Sequence, residues 1–144
     1  MKNYKRVVVA VELLSKSDYR LVEHVKRMTQ DFKVDVILVH AVVHEGMYIE
    51  DNVAAEFELQ EALLKNATRK MQELGKCIGV LENNQIIEAG SAKSIILKAA
   101  EKHKADLIIV GSHGRHGLQL LLGSTANAVL HGAKCDVLAV RLKE

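Results

Sequence analysis

The sequence predicts an α/β fold, in which a single five-stranded parallel sheet carries helices on both faces. Two observations support this prediction. Continuous runs of β-branched residues, such as RVVVAV at residues 6–11, are typical of strands buried on both sides. Between these runs lie amphipathic segments with apolar residues at helical spacing, and right-handed crossovers of this alternating kind place helices on both faces of a mainly parallel sheet.

Length and composition favour one domain over residues 1–144 and exclude two classes of protein. A chain of 144 residues is long enough to bury a core without disulfides. Its apolar runs fall short of the roughly 20 residues that cross a bilayer. The 20 basic and 18 acidic residues are interspersed, and Phe and Tyr are few, so neither a concentrated positive field nor a base-stacking platform is expected. We expect no membrane and no nucleic-acid partner.

The cysteines and the N-terminal segment indicate a cytoplasmic protein. Cys77 and Cys135 lie far apart without a CxxC motif or a Cys/His cluster, which fits reduced thiols better than a disulfide framework. The basic and then apolar N-terminus has a short run, contains Glu12 and lacks a small-residue cleavage site. We therefore do not expect a signal peptide.

The first half of the chain predicts two strands and two helices. Residues 6–11 form the central strand, and SKSD at 15–18 offers a capping box with Ser15 as cap and Asp18 three residues on. Residues 34–43 repeat the buried-strand pattern, and the polar stretch 44–52 forms a loop across the open end of the sheet. The apolar positions that indicate the two helices are Leu21, Val22, Val25 and Met28 in the first and, over residues 53–76, Phe57, Leu64, Ala67, Met71 and Leu74 in the second.

The second half predicts three more strands and two helices. A short strand at 85–89 ends at Gly90, and Ser91 caps a helix from residue 92 to about 103. The remaining predicted elements are a strand at 106–110, a loop at 111–122, a helix from 124 to about 131 and a final strand at 137–141. In parallel sheets of this kind ligands bind outside the carboxyl ends of the strands, so the loops at 12–17, 41–52 and 111–123 should converge on a site.

The loop after the fourth strand has the chemistry of a phosphate site. Glycines at 111, 114, 117 and 123 permit positive φ and a close approach of backbone to ligand. The amides of Gly123, Ser124 and Thr125 open a helix, and the N-terminus of a helix favours an anion. The spacing fits neither GxxxxGK[ST] nor GxGxxG. The structural alternative is a tight turn followed by a helix that Ser124 caps.

Other polar residues near this loop support weaker interpretations. Arg115 pairs either with a phosphate or with solvent. His113 and His116, with His40 or His44, have no fixed partner ligand, so a metal site is less expected than solvent or phosphate contact. There is no GxSxG motif for a serine nucleophile. We assign no catalytic residue and no metal ligand.

Several segments together resemble the universal stress protein family over nearly the whole chain. They are RVVVAVE, DVILVHAVV, Gly90-Ser91 at a helix start, ADLIIVGSHGRHGLQLLLGSTANAVL and KCDVLAVR. The resemblance implies a Rossmann-like fold, similar to the adenine-nucleotide alpha hydrolases, with strand order 3-2-1-4-5. It also implies a cytoplasmic homodimer, formed through the final strand, that acts in starvation, growth arrest and DNA or oxidative damage.

The same resemblance defines a tentative nucleotide site. ATP-binding members carry glycine, two residues, glycine, nine residues, glycine and then Ser or Thr; here Gly111 and Gly114 match, but only eight residues separate Gly114 from Gly123. Where binders tend to have Asp near the nucleotide and metal, this chain has Glu12, and where they often place Val beside the adenine it has Ala41. The tentative ligand is ATP with magnesium, and the tentative site residues are Glu12, Ala41, Gly111, Gly114, Arg115, Gly123, Ser124 and Thr125.

Three hypotheses of function follow. The chain is a non-catalytic, dimeric binding or signalling module of the stress response; an ATP-binding switch that uses the loop at 111–125; or, third, a weak ATPase, for which no base or water-positioning group is evident. By analogy with relatives, Ser124 or Thr125 is a potential autophosphorylation site. The final strand forms the edge that pairs across a two-fold axis, or an edge that Arg141 and Lys143 protect.

Overall fold

The computed structural model describes residues 3–13, 16–42, 53–112 and 122–142 of the chain. Within these residues five strands alternate with four helices, and one 3-10 turn at Glu82–Asn84 precedes the third strand. The strands are β1 (Arg6–Ala10), β2 (Asp35–Val42), β3 (Gln85–Ala89), β4 (Leu107–Ser112) and β5 (Asp136–Arg141), and the helices are α1 (Lys16–Thr29), α2 (Val53–Ile78), α3 (Ala92–Lys102) and α4 (Ser124–Gly132).

The strands form one parallel sheet in the order β3-β2-β1-β4-β5, which confirms the predicted fold class and strand order. The central strand is β1, as its unbroken β-branched run predicts. In its middle, Val8 pairs with Ile37 of β2 on one side and with Ile108 of β4 on the other. Val8 has no exposed surface, since sheet neighbours and helices surround it on every side.

The core has two layers because successive residues of a strand point to opposite faces of the sheet. On one face Val7 and Val9 of β1 pack with residues of α1 and α2, including Val25 and Met71. On the other face Val8 packs with residues of α3 and α4. Full burial of a Val, Ile, Leu or Met side chain contributes about 1.5–3 kcal/mol, so this pair of layers supplies the main stabilisation of the fold.

The apolar stripe of α2 is buried over only part of its length. Ala67, Met71 and Leu74 are buried as predicted, but Phe57 is 67% exposed, so its predicted burial is wrong. The reason is length, because a helix of 26 residues spans about 39 Å whereas the eight residues of β2 span about 26 Å. The first turns of α2 therefore extend beyond the sheet. Met28, in the last turn of α1, is likewise 37% exposed instead of buried.

Two further sequence predictions concern the ends of elements. Ser91 accepts a hydrogen bond from the Ser94 N–H and caps α3 as predicted. Strand β4 continues through Gly111 and Ser112, which were expected to be loop, because these residues pair with Val140 and Arg141 of β5. Ser15, the loop at 44–52 and the loop residues 113–121 lie outside the described residues. In the part of the chain that the structure describes, none of the helices is long and apolar enough to span a bilayer.

Candidate functional site

The carboxyl ends of β1, β2 and β4 open onto a cavity of about 200 Å³. The sequence predicts a ligand site at this place. It lies next to β1, where the strand order reverses, because β2 and β3 are added on one side of β1 and β4 and β5 on the other. Small and branched apolar side chains form much of the wall. The polar residues that line it are Glu12, Ser17, Asp18, His40 and Thr125.

The structure brings four of the eight predicted site residues together. Glu12, Ala41, Gly111 and Thr125 all line this cavity, although they come from four separate segments of the chain. Gly123 and Ser124 stand directly before Thr125 at the start of α4 but are not among the lining residues. Gly114 and Arg115 lie outside the described residues, together with His44, His113 and His116.

The connection that leaves β1 is held by its neighbours on both sides. The Val11 N–H donates to the Val39 carbonyl at 2.9 Å, and the Val11 carbonyl accepts from Nδ1 of His40 at 2.8 Å. Because a carbonyl oxygen can only accept, Nδ1 of His40 carries the proton. The next backbone group, the Glu12 N–H, donates to Oδ1 of Asp18 at 2.8 Å. The backbone at Glu12 is therefore fixed, while its side chain is exposed at the mouth of the cavity.

Asp18 accepts a hydrogen bond from outside its own helix, and Ser15, its partner in the predicted capping box, lies outside the described residues. It is only 5% exposed, and its carboxylate reaches back to the strand end at Glu12. Asp18 and His40 are thus parts of the cavity wall. The sequence indicated His40 only as a weak metal-site candidate near this loop and Asp18 only as part of a capping box. The available signal was position, because each residue flanks a loop that leaves the sheet at this end.

Space explains Gly111, and positive φ explains neither of the two described glycines of the loop. At Gly111 an added Cβ would lie 2.7 Å from Cδ1 of Leu142, so the glycine makes room for that side chain. Gly123 precedes α4 with φ −56°, and an added Cβ there would meet no described atom within 4 Å. Among the described glycines positive φ occurs at Gly79 and Gly90, outside this loop. The expectation of positive φ is therefore wrong for both described glycines of the loop.

The start of α4 contributes Thr125 to the polar part of the cavity wall. Ser124 and Thr125 are exposed in its first turn, and the first intrahelical hydrogen bond runs from the Asn127 N–H to the Gly123 carbonyl at 2.9 Å. The N–H groups before Asn127 have no helical carbonyl to bind and carry partial positive charge. With Thr125 in the cavity wall, this end favours an anionic group of a ligand.

The described residues contain no cluster of three or more His, Cys, Asp or Glu side chains arranged to hold a metal ion. Of the described residues that line the cavity, Glu12 and Asp18 carry carboxylates. Magnesium in nucleotide sites is commonly bound by one or two carboxylates together with phosphate oxygens. This donor set therefore fits a metal that arrives with a phosphorylated ligand better than a metal held by protein alone.

The chain is similar in sequence and in structure to several known proteins. A model of the universal stress protein family matches residues 3–141. Universal stress protein A homologs 2 and 1 of Coxiella burnetii are 49% and 33% identical to the chain, each over 99% of both proteins. The solved structure of hypothetical protein MJ0577 is 30% identical, with a TM-score of 0.82 over 99% of each chain. A universal stress protein in complex with cAMP is 24% identical, with a TM-score of 0.61 over 96% of this chain and 98% of that one.

Proposed function

The chain belongs to the universal stress protein family, and from that premise we propose that it is a non-catalytic, homodimeric binding or signalling module of the general stress response. Family membership supports the stress-response role. Two titratable side chains of the cavity, Asp18 and His40, are bound to backbone groups of the wall, which favours a structural use over proton transfer. Cys77 and Cys135 form no disulfide, which suits a reducing compartment, and we propose the cytoplasm.

The ligand we propose for the cavity is an adenine nucleotide, ATP with magnesium, which would make the module a nucleotide switch. The observation that supports it is the convergence of Glu12, Ala41, Gly111 and Thr125 on one cavity. Apolar walls suit a base, the Glu12 carboxylate suits a ribose hydroxyl or the metal, and the start of α4 suits phosphate. The neighbour solved with cAMP has this fold, so the fold is compatible with an adenine nucleotide.

Calorimetric titration of nucleotide-stripped protein with ATP and magnesium tests this proposal. We expect one nucleotide per chain with an affinity on the order of micromolar. Gly123→Val should abolish the binding, because a branched side chain directly before the start of α4 would obstruct a phosphate at its N–H groups. It should not unfold the protein, because the added Cβ meets no described atom within 4 Å and φ is ordinary. Thr125→Val should weaken binding, whereas Thr68→Val on the outer surface of α2 is the matched control. The absence of heat at high protein concentration would reject the switch and leave a nucleotide-free interaction protein.

The homodimer we propose forms through β5. This strand is an outer edge of the sheet, with Ala139 exposed and Val137 and Leu138 half-buried. Unpaired edges of this kind invite further strand pairing, and a two-fold seam would cover the edge. Ala139→Arg should convert the dimer to a monomer in sedimentation equilibrium, while Ala89→Arg, on the opposite edge strand β3, should not. A monomeric wild-type protein would reject the dimer.

A further inference from the structure

Three consecutive residues after β1 are each held by a side chain from a different element. His40 of β2 donates to the Val11 carbonyl at 2.8 Å, and Asp18 of α1 accepts from the Glu12 N–H at 2.8 Å. Lys70 of α2 completes the set, because its Nζ donates to the Leu13 carbonyl at 3.2 Å. The backbone around Glu12 is therefore held from both sides of the residue.

Leu13 is the part of this connection that depends most on outside support. Its φ is 58°, in the left-handed region that disfavours residues with a Cβ, and it is only 7% exposed. A non-glycine residue keeps this conformation only where its surroundings impose it. Packing of the side chain holds one part of Leu13, and the hydrogen bond from the charged Lys70 amine holds its carbonyl.

Lys70 does not line the cavity itself, yet it contacts the residue next to Glu12. It also differs from other lysines of its helix, since Lys70 is half-buried whereas Lys65 and Lys76 are exposed. Release of the Leu13 carbonyl would let the connection leave the left-handed conformation. Because Glu12 is the neighbouring residue, the direction in which its side chain leaves the backbone at the cavity mouth would then change.

We propose that Lys70 is a positioning residue that acts from α2, through Leu13, to hold Glu12 in the binding cavity. For its ligand the inference rests on the proposed nucleotide function. The positioning of Glu12 by Lys70 is inferred from the hydrogen bonds to residues 11–13 alone. Lys70 touches no ligand in this proposal, so it is not itself a binding residue.

The test compares Lys70→Met with Lys70→Arg and with Lys65→Met. Titration with ATP and magnesium should show that Lys70→Met loses about tenfold in affinity, the size expected for one charge-assisted hydrogen bond. Lys70→Arg keeps a cationic donor and should recover most of the affinity. Lys65→Met makes the same chemical change on an exposed site of the same helix and should bind like the wild type.

Amide hydrogen exchange of the ligand-free proteins separates positioning from general loss of stability. Lys70→Met should exchange the Glu12 amide about tenfold faster, while the buried Val8 amide keeps its protection. Equal losses at both amides, or wild-type exchange at Glu12, would overturn the proposal, as would wild-type ATP affinity in Lys70→Met. If the wild type binds no ATP, the nucleotide function fails, and the exchange comparison alone decides whether Lys70 positions Glu12.

Discussion

At each end of the central strand β1, an aspartate carboxylate accepts hydrogen bonds from backbone N–H groups, but the surroundings of the two aspartates differ. At the amino end Asp106 accepts from the Lys5 and Arg6 N–H groups, and the Arg6 guanidinium donates to the His103 carbonyl, all at the surface. At the carboxyl end the buried Asp18 accepts from the Glu12 N–H beside a cavity. The amino-end bonds join strands and helices to one another, whereas the carboxyl-end bonds fix a wall. We therefore expect changes at the amino end to affect stability and changes at the carboxyl end to affect the proposed binding.

The largest expected effect is on the free energy of unfolding. It comes from a Gly→Ala substitution, which we compare at the amino end and at the carboxyl end of the sheet. Gly75→Ala, where α2 returns to the amino end, places a Cβ 2.7 Å from the Val80 carbonyl and should cost about 3 kcal/mol of unfolding free energy, because backbone cannot easily move. Gly111→Ala, at the carboxyl end, meets the tip of the Leu142 side chain and should cost under about 1 kcal/mol. Urea denaturation measures both. Equal losses of unfolding free energy in the two variants would contradict the expectation that the amino end contributes more to stability.

A smaller effect is expected from the amino-end carboxylate. Asp106→Ala leaves the Lys5 and Arg6 amides without this acceptor and should lower the free energy of unfolding by about 2 kcal/mol, with ATP affinity unchanged. Asp106→Asn keeps one acceptor oxygen and should lose less. Asp31→Ala, on an exposed site, is the control for removal of a charge. A matching fall in ATP affinity would show that the two ends are not separate.

The smallest effect concerns pH at the amino end. Tyr4 donates to the Asp136 carboxylate at 2.8 Å, and this hydrogen bond, with the negative charge nearby, raises the pKa of the Tyr4 hydroxyl above its ordinary value. Because the pKa of Tyr4 is higher in the folded protein than in the unfolded chain, its hydrogen bond contributes fully to stability below the unfolded pKa. This contribution is lost as the pH rises through the folded pKa. Above about pH 10, stability should therefore fall more steeply in the wild type than in Tyr4→Phe.

Ultraviolet titration of tyrosine ionisation provides the direct measurement. Tyr4→Phe should remove the component that ionises at the raised pKa, and Tyr19→Phe is the matched control for loss of one tyrosine. If the pH dependence of unfolding were the same in Tyr4→Phe and the wild type, the Tyr4–Asp136 bond would have no linked effect on stability.

Most of the fold could be predicted from local patterns, because strands buried on both sides and capped helices leave their signals in short stretches. The buried run at β1 and the Ser91 cap are examples. Phe57 shows where such patterns fail, since a periodic stripe does not reveal where the sheet beneath it ends. The strand order came from family resemblance, and the structure confirms it.

The site was predictable in position and only partly in detail. Convergence of loops at the carboxyl ends of strands is a property of the topology, and Glu12, Ala41, Gly111 and Thr125 do meet there. The reason for Gly111 could not be predicted, because it depends on contact with Leu142 from a different strand end. The partners of Asp18 and Lys70 are likewise set by tertiary packing that no local motif specifies.

Leu142 takes part both in the edge of the sheet and in the wall of the cavity. Its N–H extends the β4–β5 ladder by donating to the Ser112 carbonyl at 3.0 Å, and the residue also lines the cavity. The outer edge of the sheet and the width of the cavity are therefore not independent dimensions. A shift of the edge strand, such as strand pairing at that edge would cause, is therefore expected to reshape the cavity wall as well.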